Sequence, residues 1–445
     1  MKKSKPDFQK ALAFLDNLQF FKIKLGLESM QALLEPLGSP QQSLSFVHIA
    51  GTNGKGSTAS FLVSLLADAG IRVGLYTSPH LESVLERFRI NGQMIDQCSF
   101  AVHAESIIST LDGRSITYFE FTTALALLWF AAEKVDIAVM EVGMGGRLDA
   151  TNVITPLVSV ITNVSMDHEQ YLGHCLADVA REKAGIIKPG VPVVSAVGGG
   201  EEDKAALDVV QERCRDYGAP LYLLGRDFFM REKSGAGLCY TGLDQHPAGC
   251  ERLALDRLTP GLKGAHQFAN AALALATAEL LQKKGFAVGK ASMRRGLADV
   301  TWPGRLETLI CRRQGKNIRV VLDGAHNPAG VRALVQSLQE EFSWQRLFLV
   351  WGAMADKDGS RTLPCIAPLA ATIFLTAPES ERAASPECLL RSLEPPLQAT
   401  TRICGSVRDG LLAACGAASE SDLVCVAGSL YLIGEARRIV KEWCV

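Results

Sequence analysis

Short apolar runs closed by Gly, Pro, Asn or Ser recur along the chain, with apolar residues at helical spacing between them. That alternation predicts βαβ units around a parallel sheet covered on both faces. Runs at 44–50 (LSFVHIA), 71–76, 136–142 (DIAVMEV), 157–162 (LVSVIT) and 191–195 predict one set of strands. A second set starts after residue 300, at 318–322, 346–351, 371–375 and 423–427. Small or polar residues follow each run, at the strand ends where open α/β sheets bind ligands. Residues 200–258 are rich in charge and glycine, with isolated apolar positions; the pattern allows a small β appendage or a long loop.

The chain has 445 residues, enough for two or three domains, and the boundary is expected near 296–304. Lys plus Arg number 46 against 47 Asp plus Glu, a formal charge of −1. A chain-wide attraction to nucleic acid or anionic membrane is therefore not expected, and an anionic ligand needs a local device. Twelve cysteines are scattered without any C-x-x-C pair, which suits reduced thiols better than a disulfide framework or zinc site. Asp7, Lys10 and Asp16 interrupt any signal-peptide core, and the apolar stretch 121–132 is too short to span a bilayer. The expectation is a cytoplasmic protein with no nucleic-acid or membrane partner. With no heptad seam, a monomer is the default.

The local device stands after the first strand. Gly51-Thr52-Asn53-Gly54-Lys55-Gly56-Ser57-Thr58 runs into a helical stretch that Gly70 can cap. Strand, glycine turn, lysine, hydroxyls and helix make an anion cradle: backbone N–H groups face phosphates, and Lys55 neutralises their charge. As a mere connector the turn would put a lysine at a helix N-terminus for no gain. Two features depart from the common pattern: Ile49 replaces the first glycine, and Gly56 separates Lys55 from Ser57. The fold class is thus α/β: a P-loop-type doubly wound parallel-sheet domain, 1–298, then a smaller Rossmann-like domain, 299–445.

Three oxygen or imidazole groups lie at strand ends as candidate metal ligands: Ser78, Glu141 and His168. Magnesium takes oxygen donors, often only one or two carboxylates with phosphates and water. By chemistry alone His168 reads as a capping or core histidine. Glu141 closes an apolar strand and needs a partner, either a metal or a structural Arg or Lys.

These residues resemble a known family. His48-Ile49-Ala50-Gly51-Thr52-Asn53-Gly54-Lys55-Gly56-Ser57, Thr77-Ser78-Pro79-His80, Arg87-Phe88-Arg89-Ile90-Asn91-Gly92 and Phe119-Glu120 resemble folylpolyglutamate synthases and dihydrofolate synthases. So do 141–152 (EVGMGGRLDATN), 182–188 (EKAGIIK) and 323–328 (DGAHNP), in the expected order over nearly the whole chain. The group belongs to the wider Mur ligase superfamily. The resemblance implies an ATP-dependent ligase that makes an acyl phosphate from a carboxylate and lets L-glutamate's amine attack it. The substrates implied are ATP, L-glutamate and dihydropteroate or a reduced folate, with bifunctional dihydrofolate and folylpolyglutamate synthesis expected.

By the same resemblance, Lys55 and the loop amides hold phosphates, and Ser78, Glu141 and His168 hold Mg2+. Lys183 matches a lysine that carbon dioxide carbamylates into a further metal ligand; an ordinary salt-bridged helix lysine is the other reading. A monovalent cation is also implied. Asn270, Arg305, Asp323 and His326 match ATP-site residues, with Asp323 and His326 also organising catalysis in a C-terminal glutamate ligase domain. Read without the family, 323–328 is a turn capping the next helix. Ser429 and Tyr431 match residues near the incoming glutamate, against a plain strand-to-helix turn. Arg87, Thr117, Phe119, Asp149 and Ala150 match positions lining the pterin, although Phe119 also fits a helical core pattern.

Two rivals are separable. A ligase acting on a UDP-linked muropeptide is expected to carry a further domain before the phosphate loop, where about fifty residues precede Gly51, and to lack Gly56. A non-ligase P-loop ATPase switch would not need the second α/β half.

Overall fold

The computed structural model of the chain describes residues 7–18, 26–198, 203–243, 252–313, 315–357 and 359–444. They divide into two units. The first lies within 1–79, 84–261 and 268–300, the second within 80–83, 262–267 and 301–445.

The first unit is built on eight strands: β1 (Phe46–Ala50), β2 (Val73–Tyr76), β3 (Phe88–Ile90), β4 (Gln93–Met94), β5 (Ile137–Glu141), β6 (Val158–Ile161), β7 (Val193–Ser195) and β8 (Leu221–Leu223). Their order is β4-β3-β2-β5-β1-β6-β7-β8, and the six strands from β2 to β8 run parallel. β1 lies between β5 and β6, with Val47 opposite both Val139 and Val158. All five of its residues are buried, as a central parallel strand requires. β3 and β4 close the edge as an antiparallel hairpin. Its two-residue turn, Asn91-Gly92, has φ of 47° and 82°, the left-handed pair that such a turn needs.

The 200–258 region is a helix, Lys204–Asp216, then β8 and a three-stranded antiparallel sheet. That sheet comprises β9 (Phe229–Lys233), β10 (Gly237–Thr241) and β11 (Ala254–Leu258); residues 200–202 and 244–251 lie outside the described residues. The Tyr240 hydroxyl donates to Glu279 Oε1 at 2.6 Å, tying the small sheet to the helix His266–Gln282.

The second unit carries β12 (Glu307–Arg313), β13 (Lys316–Leu322), β14 (Leu347–Trp351), β15 (Ala370–Leu375), β16 (Thr401–Ile403) and β17 (Leu423–Ala427). Their order is β12-β13-β17-β14-β15-β16, parallel except for the edge strand β12. The segment 80–83 belongs to this unit, where Glu82 pairs with Arg437 and Lys441. The α/β architecture expected from the apolar runs is what forms. The pattern did not show the edge strands β3, β4, β12 and β16, because charged or polar residues interrupt them or they are too short to form a continuous apolar run.

Behind β14 and β17, Asp422 is fully buried and accepts from Arg346 Nη2 at 2.7 Å, Arg346 N at 3.0 Å and Ser419 N at 2.8 Å. Burial alone would raise its carboxyl, but the bonds from Arg346 and Ser419 win and hold it at about 2. Because the folded value is depressed, this stability is present above 3.8 and is lost as pH falls toward about 2. Asp422→Ala leaves buried N–H groups without an acceptor and is expected to cost about 2 kcal/mol in urea unfolding at neutral pH. A loss below the fitting error would refute this role.

Among the described residues no helix is long and apolar enough to cross a membrane. The described cysteines are all free.

Candidate active site

β1 delivers the chain into the glycine-rich loop 51–58, and the helix Lys55–Asp68 starts at once from Gly54. Gly54 has φ 81°, and a Cβ there would meet Asn270 Oδ1 at 2.3 Å. Only glycine fits this left-handed, crowded turn. The loop is stapled to the exit of β6: Thr52 N donates to Asn163 O (3.1 Å), Asn53 N to Asn163 Oδ1 (2.8 Å) and Thr162 Oγ1 to Asn53 O (2.6 Å). Lys55 Nζ folds back to the carbonyls of Gly51 and Thr52, at 3.1 and 3.2 Å. Gly56, Ser57 and Thr58 are buried in the first turn. Thr58 Oγ1 donates to Asn270 Oδ1 at 3.3 Å, so Asn270, remote in sequence, stands at the loop. Asn163 was not singled out from sequence; an asparagine just past a strand end was its only signal.

Glu141 closes β5, beside Ile49 of β1, and is 5% exposed. Its Oε2 accepts from Ser78 N at 3.1 Å, so these two oxygen-bearing residues stand together. His168 precedes the helix Glu169–Leu172 with φ 51°, and its imidazole makes no cap bond. It is half-buried and holds the N-cap position of that short helix through its backbone carbonyl, which accepts from Tyr171 N and Leu172 N.

Lys183 lies in the last turn of the helix Leu176–Ala184 and is 3% exposed. Burial, and next the charge of Lys55, push its amine down to about 7 against the pull of Asp167 and Glu182. Glu182 itself pairs with Arg147 at 2.8 Å. Among the described residues no three His, Cys, Asp or Glu gather into a metal cage. The donor chemistry of Ser78 and Glu141 instead fits a hard cation completed by phosphates and water.

A second surface of this unit surrounds Phe119. Thr117 caps the helix Tyr118–Ala132 in a reciprocal box: its Oγ1 accepts from Glu120 N at 3.1 Å, and Glu120 Oε2 accepts from Thr117 N at 2.7 Å. The box leaves Phe119 half-exposed, its other side packed on the core. A Cβ on Gly143 would meet the Phe119 ring at 2.6 Å, so glycine lets the loop lie against it. Tyr76 stands 5.9 Å from that ring, and buried Arg87 covers Tyr118 at 5.2 Å. Asp149 and Ala150 are buried in the turn before β6. Burial pushes the Asp149 carboxyl up, opposed by bonds from Thr151, Met144 and Gly143.

In the second unit Asp323 accepts from Leu306 N and Ala325 N, both at 2.9 Å. Burial pushes the nearby His266 imidazole down, with Asp323 opposing and Arg305 adding to the shift. His326 Nδ1 lies 2.7 Å from Gly324 O; a carbonyl only accepts, so Nδ1 carries the proton. Asn327 caps the next helix, Pro328–Glu341, as a turn reading of 323–328 expects. Ser429 caps Leu430–Lys441 by accepting from Tyr431 N at 3.2 Å.

Residues 49–196 match the Mur ligase middle domain, and 304–430 match the Mur ligase glutamate ligase domain. The chain is 34% identical to the dihydrofolate synthase/folylpolyglutamate synthase of Bacillus subtilis, covering 98% of this chain and 99% of that one. It belongs to the folylpolyglutamate synthase/dihydrofolate synthase family. It also spans about half the length of two archaeal relatives, among them the probable bifunctional folylpolyglutamate synthase/dihydropteroate synthase of Haloferax volcanii, at 36% identity over 97% of this chain and 50% of that one. Two solved members of the family share its fold. Escherichia coli FolC in complex with DHPP and ADP has a TM-score of 0.85 at 30% identity, over 98% of both chains. The bifunctional Yersinia pestis synthase with Mn, AMPPNP and L-glutamate bound has 0.84 at 29%, over 98% of this chain and 100% of that one.

Proposed function

We propose that this chain is an ATP-dependent ligase that joins L-glutamate to dihydropteroate and to reduced folates. The observation that carries the proposal is the gathering, in one unit, of a stapled phosphate loop, the Ser78–Glu141 pair and a buried, low-titrating lysine. The family's relatives supply the substrate class.

A carboxylate is a poor electrophile, so one of its oxygens attacks the γ-phosphorus of ATP and ADP leaves. The glutamate amine then attacks the acyl carbon, and phosphate departs from the tetrahedral intermediate. Most of the catalytic work is placement and charge neutralisation. Gly51–Thr58 would cradle the phosphates with Lys55, next to Asn270. Ser78, Glu141, His168 and carbamylated Lys183 would hold divalent metal, which supplies charge neutralisation at the phosphates. Phe119 would stack on the pterin, with Arg87, Thr117, Asp149 and Ala150 around it. Arg305, Asp323 and His326 are assigned to nucleotide, and Ser429 and Tyr431 to the incoming glutamate. A monovalent cation, a monomeric state and a cytoplasmic location complete the proposal.

The test is phosphate release from ATP with L-glutamate, comparing dihydropteroate and tetrahydrofolate, with product masses read in the same tubes. Turnover with both, each product heavier by one glutamyl unit, is expected. Turnover with one acceptor alone would make the enzyme monofunctional. Activity only with a UDP-muropeptide, or ATP turnover indifferent to both acceptors, would overturn the substrate assignment.

A further inference from the structure

His48 is the one polar residue of β1 and is fully buried, two residues before the strand ends. Its Nε2 lies 2.8 Å from Thr151 Oγ1, and Thr151 Oγ1 lies 2.5 Å from Asp149 Oδ1. Asp149 Oδ1 also takes the Thr151 N–H, and Oδ2 takes the Met144 N–H, both at 3.0 Å. Every group around this carboxylate donates, so it acts as an acceptor. Thr151 therefore commits its hydroxyl proton to Asp149, and its oxygen must accept from His48. That fixes the tautomer: the proton sits on Nε2 and Nδ1 is bare.

Nδ1 is buried with no hydrogen-bond partner among the described residues. A bare buried nitrogen costs free energy, which an aliphatic residue at this central strand position would avoid. Burial, with Lys188 adding to it, also pushes the ring down to about 3, so it stays neutral and cannot serve as a charge. What remains for His48 to contribute is one N–H aimed at Thr151.

We propose that His48 is a positioning residue for the pterin-bearing substrate, acting through Thr151 to fix the Asp149 carboxylate. A pterin presents an amino group beside a ring N–H, two donors that a correctly turned carboxylate accepts. Oδ1 takes the Thr151 hydroxyl and N–H and Oδ2 takes the Met144 N–H, so the ring's donors would meet the lone pairs these bonds leave. Because His48 lies on β1, the strand that leads into the 51–58 loop also sets the Asp149 carboxylate. The inference rests on the assignment of Asp149 to the pterin.

Calorimetric titration of dihydropteroate and, separately, ADP into the 445-residue chain tests it, with melting temperatures recorded. His48→Leu and Thr151→Val remove the donors while filling space, and each is expected to weaken dihydropteroate binding about tenfold with ADP binding unchanged. His48→Gln, whose amide nitrogen reaches about as far as Nε2, and Thr151→Ser should stay near wild type. Equal weakening of both ligands, wild-type binding in His48→Leu and Thr151→Val, or no rescue by His48→Gln and Thr151→Ser would overturn the relay. Asp149→Ala separates the two levels. If that variant binds dihydropteroate normally, the pterin assignment fails; if only Asp149→Ala weakens binding, the assignment stands and the relay fails.

Discussion

Lys55→Ala is expected to lower phosphate release at saturating folate and glutamate by about 10³-fold. The backbone cradle survives this change, because its staples run through Thr52, Asn53, Thr162 and Asn163 rather than through the lysine. What disappears is the one cation in the 51–58 loop, held at a helix start by the carbonyls of Gly51 and Thr52. In a site that excludes water, such a charge stabilises the phosphates most when negative charge builds up on them. Lys55→Arg should rescue little, since a planar fork cannot occupy the place of a compact ammonium. Single-turnover measurement with radiolabelled ATP isolates the step. Activity within tenfold of wild type in Lys55→Ala would remove this residue from the chemistry.

Lys183→Ala is expected to reduce kcat by about 10²-fold, and formate should restore part of it by entering the vacated space. The warrant is a nearly inaccessible amine pushed down to about 7 by burial and by Lys55. Only a neutral amine attacks carbon dioxide: a C–N bond forms, one proton leaves the nitrogen, and an anionic carbamate results. At pH 7 about half of such a group is neutral, whereas an unperturbed lysine is almost wholly protonated. The carbamate should therefore be lost as pH falls below about 7, and activity should depend on bicarbonate most steeply there. Unmodified protein shows the opposite face of the same shift. Its folded state binds fewer protons than the unfolded chain between about 7 and 10.5, so its stability rises with pH through that window. Labelled bicarbonate that leaves no carbamate signal in active wild-type protein would rule the modification out. Lys55→Ala links the two predictions, because losing that neighbouring cation should let Lys183 titrate higher.

Much of the architecture is legible in the sequence. Buried parallel strands such as Leu347–Trp351 and Leu423–Ala427 are continuous apolar runs, since both faces are covered. The 51–58 loop is legible for a related reason: its glycines, lysine and hydroxyls lie within eight consecutive residues between strand and helix. Strand, turn and helix start are local, and local rules decide them.

Tertiary structure decided the rest. Asn270 meets Gly54 and Thr58 only because the helix His266–Gln282 packs there, more than two hundred residues along the chain. Glu141 and Ser78 meet because β2 and β5 are neighbours, a pairing that strand composition does not encode. Phe119 fitted both a core and a ligand surface in the sequence, and the fold packs one side of it on the core while leaving the residue half-exposed. The titration of Lys183 is further from the sequence still, because a lysine's pKa depends on burial and on the charges folded around it. Sequence by itself determined the central strands and the strand–glycine turn–helix at 46–68, whose rules are local. Which polar groups share an environment was decided by packing, because hydrogen bonds and charges act across space between residues far apart in the chain.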